Sequence, residues 1–321
     1  MPPDAGVSLP LTSSPFPQES GTGYCLRVLA RNRYNFNWLR RTTGMPERAM
    51  ITASYSARIA GVLGCESAWL SDALPHSLLL GKRHEWQIYG QRFGIRNHLR
   101  SQHPQICPRC VHHEGYCRQG WDLSITAMCV RHRCLLVDHC PKCRGRLRWD
   151  RPDLGVCHCG AILASLMERP ADAGVFQILS AVESLMAGEP QTPEFWPQEG
   201  LPKVLGDLSL DGLITLIHAF GANAFAHQAG RTSQFTRVAR AHEWAEILDR
   251  GVLRLRAFVG AGKSTIQELA ARVSQPLLMR LANDGSCIKD VQVGRQIFEA
   301  LYGKDEARRL RANHSQLELF E

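Results

Sequence analysis

Between Ile106 and Gly160 the chain concentrates nine of its twelve cysteines. Thiols at short, fixed spacings constrain a fold more tightly than any apolar pattern, because each pair commits its turn to a common partner. Cysteines gather to cross-link a secreted domain, to do redox or nucleophilic chemistry, or to hold a metal. The opening MPPDAGVSLPLTSSPFPQES has no basic start, no apolar stretch of useful length and no cleavage pattern, so secretion is not expected. No apolar run long enough for a membrane span follows. The expected setting is a reducing cytoplasm, where clustered cysteines are more often metal ligands than disulfides.

Spacing makes the metal reading specific. Presenting two thiolates to one ion takes a tight turn, and a tetrahedral site needs a second such pair. Cys107 and Cys110 form C-x2-C, and after eighteen residues Cys129 and His132 form C-x2-H. Cys140 and Cys143 form another C-x2-C, and after thirteen more Cys157 and Cys159 form C-x-C with Gly160 next. Two closed structural Zn2+ sites are expected, one of three cysteines and a histidine, the other of four cysteines. Pro108 and Pro141 sit inside the first turn of each site, where a preset φ suits it.

Cys134 competes with His132 for the first site, because H-x-C is also a workable pair. His132 is preferred, since Cys134 opens the apolar run CLLV and reads as a small buried side chain. Cys117 is left over within the cluster, and His112, His113, His139 and His158 are candidate substitutes that read better as solvated groups or as donors behind the ligands. Cys25, Cys65 and Cys287 are isolated and expected to be packed. A catalytic zinc keeps a position open for water, and here each site is filled by four protein ligands. His112-His113-Glu114 contains the H-x-E of zinc deaminases, but Pro141 lies inside the later cysteine pair instead of before it, so no enzyme is expected.

The charge changes around this cluster. From Gly81 to Arg151 there are fourteen Lys or Arg and five acids, a balance of +9 in a chain whose total is +8. Seven ligand thiolates on two Zn2+ would reduce the local figure by three, leaving about +6. Arg131, Arg133, Lys142, Arg144, Arg146 and Arg148 are the candidate nucleic-acid contacts. Alternation along RGRLRW predicts an extended hairpin strand with Arg144, Arg146 and Arg148 on one side.

CPRCVHHEGYCRQGWDLSITAMCVRHRCLLVDHCPKCRGRLRWD followed by CHCGAIL resembles the paired zinc modules of the TniQ family, related to TnsD. LPLTSSPFPQESGTGYCLRVLARNRYN resembles the opening of that family, with Glu19-Ser20 before a helix carrying Arg27 and Ala30. The likeness spans roughly residues 9 to 165. It implies a bacterial transposition protein that chooses the target site without being the transposase. It also implies partners: an AAA+ regulator of the TnsC or TniB kind, target DNA or an RNA-guided Cascade-type complex, and a second copy of the chain.

Elsewhere the pattern is helical. Gly21 to Arg33 reads as a first helix, and Asn37-Trp38-Leu39 begins another. SARIAGVLGCESAWL, from Ser56 to Leu70, has the shape of a helix-turn-helix turning at Gly64. Its second helix, Glu66 to Asp72, carries two acids and no base, so it is expected to meet protein or the core and not a major groove; Trp69 is expected to be core. Beyond the cysteines, helices are expected over 169–187, from a Ser209 cap to Gly221, and near 242–258, 264–273 and 290–302. The proline-rich stretch 189–203 reads as a linker or strap. VGAGKSTIQELA contains G-K-S-T, the tail of a P-loop, but Ala257 stands where the motif needs glycine; Ser264 reads instead as an N-cap completed by Gln267.

The resulting fold class is mainly α with small zinc-bound β modules. An N-terminal helix-turn-helix-like domain (1–100) is followed by two tandem zinc-finger or ribbon modules (101–168) and a C-terminal helical domain (169–321). Two functions fit: a target-selection adaptor working by protein contact, or an autonomous sequence-specific binder of an attachment or res site.

Overall fold

The computed structural model describes residues 8–80, 83–164, 170–189, 195–222 and 238–306. Arg169, the expected start of the first C-terminal helix, and residues 190–194 of the strap lie outside them. The chain divides into two compact units, one of Met1–Pro170 with Val238–Trp244, the other of Ala171–Arg237 with Ala245–Glu321. The protein is mainly helical, with small antiparallel β modules.

The first unit is built around α1 (Gly21–Arg31), in which nine of eleven residues are buried. Ser20 caps it, its Oγ accepting from the Gly23 N–H at 3.1 Å. Gly21 is required by packing, since a Cβ there would come within 2.2 Å of the Ala73 carbonyl oxygen. Next come α2 (Phe36–Thr42), α3 (Ser56–Leu63) and α4 (Ser67–Asp72). Gly64, left-handed at φ 70°, ends α3 and turns the chain into α4. Trp69 is half-buried and meets Tyr24 edge-on at 5.1 Å, a core contact. Glu66 and Asp72 are exposed at the two ends of α4.

A meander unanticipated from the sequence follows: β1 (His76–Leu80), β2 (Arg83–Ile88) and β3 (Gln91–Phe93), antiparallel in that order. Ile88 pairs with Gln91, so Tyr89-Gly90 is a two-residue turn, and both have positive φ, 52° and 69°. That is the type I′ signature, unusual for a bulky residue such as tyrosine. The Tyr89 hydroxyl donates to Asp122 at 2.7 Å and accepts from the Gly21 N–H at 3.1 Å, interactions that offset the local strain.

Charged groups lie inside this unit. Glu19 receives both Arg27 Nε and Nη2 at 2.7 Å, and the same guanidinium binds Ser13 and Ser14 and lies over Phe16. Ser20 Oγ donates to Asp122 at 3.1 Å, while the Ser20 N–H reaches the Cys117 carbonyl at 2.8 Å. The helix opening is thereby tied to the cysteine-rich segment, which contains α5 (Pro108–Glu114), β4 (Met128–Cys129) and β5 (Cys134–Leu135). One hydrophobic core runs from Tyr24 and Leu26 through Ile59 and Leu63 to Cys107, Cys129 and Cys157, spanning residues on both sides of position 100.

The second unit is helical: α6 (Ala173–Met186), α7 (Leu210–Gly221), α8 (Ala241–Phe258) from Ala245 onward, α9 (Lys263–Arg272), α10 (Gln275–Asp284) and α11 (Ile288–Tyr302). Every residue of α7 is buried, as expected of a helix surrounded by others. Ser209 caps it and is itself held by Asp290. A Cβ on Gly221 would stand 2.0 Å from the Ile247 carbonyl oxygen, so glycine permits the close α7–α8 approach. The proline-rich segment is a packed strap over its described part, since Trp196 is fully buried. The expected Ser264 cap is corrected: Gly262 is the N-cap of α9 without a side-chain bond, and Ser264 lies inside the helix. Helix α8, not a strand, precedes it. Cys25 is buried as expected and Cys65 partly so, but Cys287 is exposed at the start of α11. No helix among the described residues is long and apolar enough to cross a membrane.

The Asp122 carboxyl is pushed up to about 7, because burial outweighs its bonds from Tyr89 and Ser20. A folded value above the ordinary 3.8 means stability that is fully present below about pH 4 and lost as pH rises toward 7. Asp122→Asn keeps the shape without the charge. Urea titrations should find the variant gaining on the parent from pH 4 to 7, by at most about 1.4 kcal/mol per unit; a pH-independent difference would show Asp122 ionised throughout.

Candidate metal centres and the basic turns around them

Cys107, Cys110, Cys129 and His132 bring one ligand atom each to within 4.8 Å of one another, and so do Cys140, Cys143, Cys157 and Cys159. In the first group the local structure explains the convergence. Cys107 caps α5 with Pro108 in the first turn, which places Cys110 one turn on. Cys129 ends β4, and the turn into β5 carries His132, whose N–H donates to Cys129 Sγ at 3.4 Å. Cys110 Sγ is 3.6 Å from Cys129 Sγ, and His132 Nδ1 is 3.4, 3.2 and 3.6 Å from the Cys107, Cys110 and Cys129 sulfurs.

In the second group Cys140 Sγ is 3.7 Å from Cys159 and Cys143 Sγ is 3.9 Å from Cys157. A tetrahedral zinc with bonds of 2.0–2.3 Å requires ligand-to-ligand edges of roughly 3.5–3.8 Å. These sulfur–sulfur and sulfur–nitrogen separations, from 3.2 to 3.9 Å, lie within a few tenths of an ångström of that size. Burial separates the groups: the three cysteines of the first are buried, whereas Cys143 and Cys159 of the second are exposed.

The sulfurs share their protons unevenly. Hydrogen bonding with Cys110 and Cys129 raises the Cys107 thiol, and the bonds that Cys129 receives hold it well below the usual thiol range. At Cys140 burial opposes ionisation, but the N–H groups of Cys143 and Lys142 bring the thiol to about 7. Backbone donation to sulfur is what a thiolate ligand needs.

Cys134 is buried opposite Cys129 across the β4–β5 pair, with its Sγ 3.7 Å from Cys107 Sγ, so it touches the first group without belonging to the four mutually close donors. The Cys117 side chain packs against Gly23. His113 stacks on His132, His158 Nδ1 is 3.4 Å from Cys157 Sγ, and His139 binds Asp138. The Glu114 carboxylate of the H-x-E run is taken by Arg118 and Arg131.

The basic residues cluster at the turns. Arg131 is exposed and paired with Glu114 at 2.8 Å; Lys142 and Arg148 are exposed, Arg148 lying 4.0 Å from Asp150. Arg133 and Arg144 follow the last ligand of their turns with φ of 47° and 57°, and Gly160 does the same at 81°. Two arginines therefore occupy a backbone conformation that favours glycine.

The predicted strand through 144–148 is corrected accordingly: the chain turns at Arg144, and the hairpin is reduced to one bridge between His139 and Arg146. Arg146 is drawn inward, donating to the Val238 carbonyl at 2.6 Å. Part of the +9 balance is internal too, because Arg100, Arg118 and Arg151 are buried.

Sequence reasoning missed Asp138. It accepts from Arg100 at 2.9 Å, His139 at 2.7 Å and the Ala241 N–H at 2.8 Å, fixing the approach to the second cysteine turn. An acid alone in a basic run, just before His-Cys, was the available signal.

Residues 10–136 match the TniQ family. The match contains α1 to α5, the sheet and the whole first donor group, and ends before the second group. Among curated proteins, none matches the chain.

Metal analysis of purified variants tests the donor sets. Cys107→Ser and Cys140→Ser should each retain one zinc per chain, Cys134→Ala two. Chelation of the parent should be biphasic, with the fast phase absent from Cys140→Ser, because the second group is the more exposed. A Cys134→Ala protein with one zinc would move the fourth ligand from His132 to Cys134.

Proposed function

We propose that the chain is a non-catalytic adaptor for transposition target-site selection, linking an AAA+ regulator of the TnsC or TniB kind to a target marked by an RNA-guided Cascade-type complex or by the DNA itself. The TniQ match over residues 10–136 carries the reading. Cys107, Cys110, Cys129 and His132 would hold one Zn2+, and Cys140, Cys143, Cys157 and Cys159 another. Both ions are structural: filling four positions with protein leaves none for a reacting water. The exposed acids of α4 support contact with protein there, since acids beside phosphates are repelled. A second copy of the chain is a further partner on this reading.

The alternative is an autonomous reader of an attachment or res site, and the exposed Arg144 favours DNA contact of some kind. Both readings use Arg131, Arg133, Lys142, Arg144 and Arg148 toward phosphates. Titration on target-site and scrambled duplexes, with and without the AAA+ regulator, separates them. The adaptor reading expects weak, equal binding to both duplexes and retention of the regulator; strong preference for the target site without any partner would replace it by the second.

The left-handed arginine gives a separate test. Arg144→Gly should raise unfolding stability by roughly 0.5–1 kcal/mol and weaken DNA binding at near-physiological salt. A variant that is more stable with unchanged affinity would remove Arg144 from the interface.

A further inference from the structure

A cavity of about 330 Å³ opens in the first unit between the loop after α2, residues 101–103 and the stretch from Arg148 to Asp150. Three arginines line it, Arg40, Arg48 and Arg148, with His103, Ser101 and Asp150. Arg40 is oriented by its own bonds: Nε donates to the Ala49 carbonyl at 3.1 Å and Nη1 to Asn37 at 3.0 Å.

Arg48 stands at φ 61° in the turn closed by the Ala49 N–H on the Pro46 carbonyl at 3.1 Å. That is the third position of a type II-like turn, where glycine is normally required. An arginine held there at a conformational cost is a reason to look for what its side chain does.

The charges lining the cavity are unbalanced. Asp150, 4.0 Å from Arg148, is the one carboxylate among these lining residues. Burial lowers His103 from its ordinary value, and the nearby arginines lower it further, so it adds little positive charge at neutral pH. Burial also lowers Arg40; Asp150 partly offsets this as an opposite charge, and Arg148 adds to it as a like charge. Three guanidinium groups against one carboxylate leave two positive charges facing a space large enough for a small ligand. Guanidinium forks match phosphate oxygens in geometry as well as charge.

We infer that the cavity between Arg40, Arg48 and Arg148 is a phosphate-binding site whose occupant is the sugar-phosphate backbone of a nucleic-acid strand. The phosphate assignment rests on the cavity itself. The choice of a strand rests on the reading above that the turns around the cysteines contact nucleic acid, because Arg148 continues the basic run that begins at Lys142 and includes the exposed Arg144.

The test uses the full-length, zinc-loaded protein with two readouts. One is the melting temperature in inorganic phosphate against chloride at equal ionic strength; the other is anisotropy of a fluorescent random oligonucleotide, single-stranded and duplex. The variants are Arg40→Gln, Arg48→Gly and Asp150→Asn, with Arg144→Glu as a reference outside the cavity. Arg48→Gly suits its backbone and keeps the test valid should Arg40→Gln fold poorly.

Phosphate should raise the parent's melting temperature, and Arg40→Gln and Arg48→Gly should lose that rise. Each should bind the oligonucleotide roughly three- to tenfold more weakly, with a log–log salt slope smaller by about one, while Asp150→Asn binds more tightly. Loss of the phosphate shift without loss of oligonucleotide binding would leave a free phosphate as the occupant and overturn the strand. If Arg48→Gly keeps both responses while Arg144→Glu weakens binding, the cavity proposal falls and the basic-turn reading stands. If none of the variants, Arg144→Glu included, changes oligonucleotide binding, the underlying reading falls with it.

Discussion

The first unit depends on the convergence of its cysteines. From Leu99 to Leu163 regular structure is limited to the seven residues of α5, the two-residue strands β4 and β5 and one 3-10 turn, too little backbone pairing to fix a segment of that length. Two groups of four donors converge within it, each within 4.8 Å of one another and so compatible with holding a metal. Cys107, Cys110, Cys129, Cys140 and Cys157 also belong to the hydrophobic core that contains Tyr24, Leu26 and Leu63. Binding a metal there would therefore stabilise the helical part as well as the turns, because the same side chains form both.

Buried polar pairs set the register of that core. Glu19 with Arg27 ties the entry segment to α1, while Ser20 with Asp122 and Tyr89, and Arg100 with Asp138, join segments far apart in sequence. Such pairs add little net stability over apolar residues of the same volume, but breaking one strands a buried charge. Asp138 combines the two themes, since the residue that pairs with Arg100 is two positions before Cys140. The inward use of Arg100, Arg118 and Arg151 also means that net charge overstates the basic surface, of which the turns at Arg131, Arg133, Lys142, Arg144 and Arg148 are the part beside the two donor groups.

The spacing of the cysteines was legible because each ligand pair is a local turn, readable without knowing the rest of the fold. Helices α1, α3, α6, α7 and α11 were legible from apolar periodicity, the turn at Gly64 and the cap at Ser209, whereas the Ser20 cap emerged only from the structure. The β1–β3 meander was not, because its turn uses a tyrosine where asparagine or glycine is usual, and only the distant Asp122 and Gly21 explain it. The strand read into RGRLRW failed for the complementary reason: the alternation holds from Arg146 to Trp149, but φ at Arg144 depends on closure of the preceding cysteine turn. The cavity lined by Arg40, Arg48 and Arg148 was beyond sequence reasoning altogether, since it joins residues a hundred positions apart.

On the proposed adaptor reading the chain works by holding surfaces in fixed relation, and the pair of four-donor groups would be the fixing element once loaded with metal. X-ray absorption at the zinc edge of the loaded protein tests that claim most directly. The account predicts two ions per chain with seven sulfurs and one nitrogen between them, at about 2.3 Å and 2.0–2.1 Å, and no bound water oxygen. A single ion, or a spectrum requiring oxygen ligands, would contradict it.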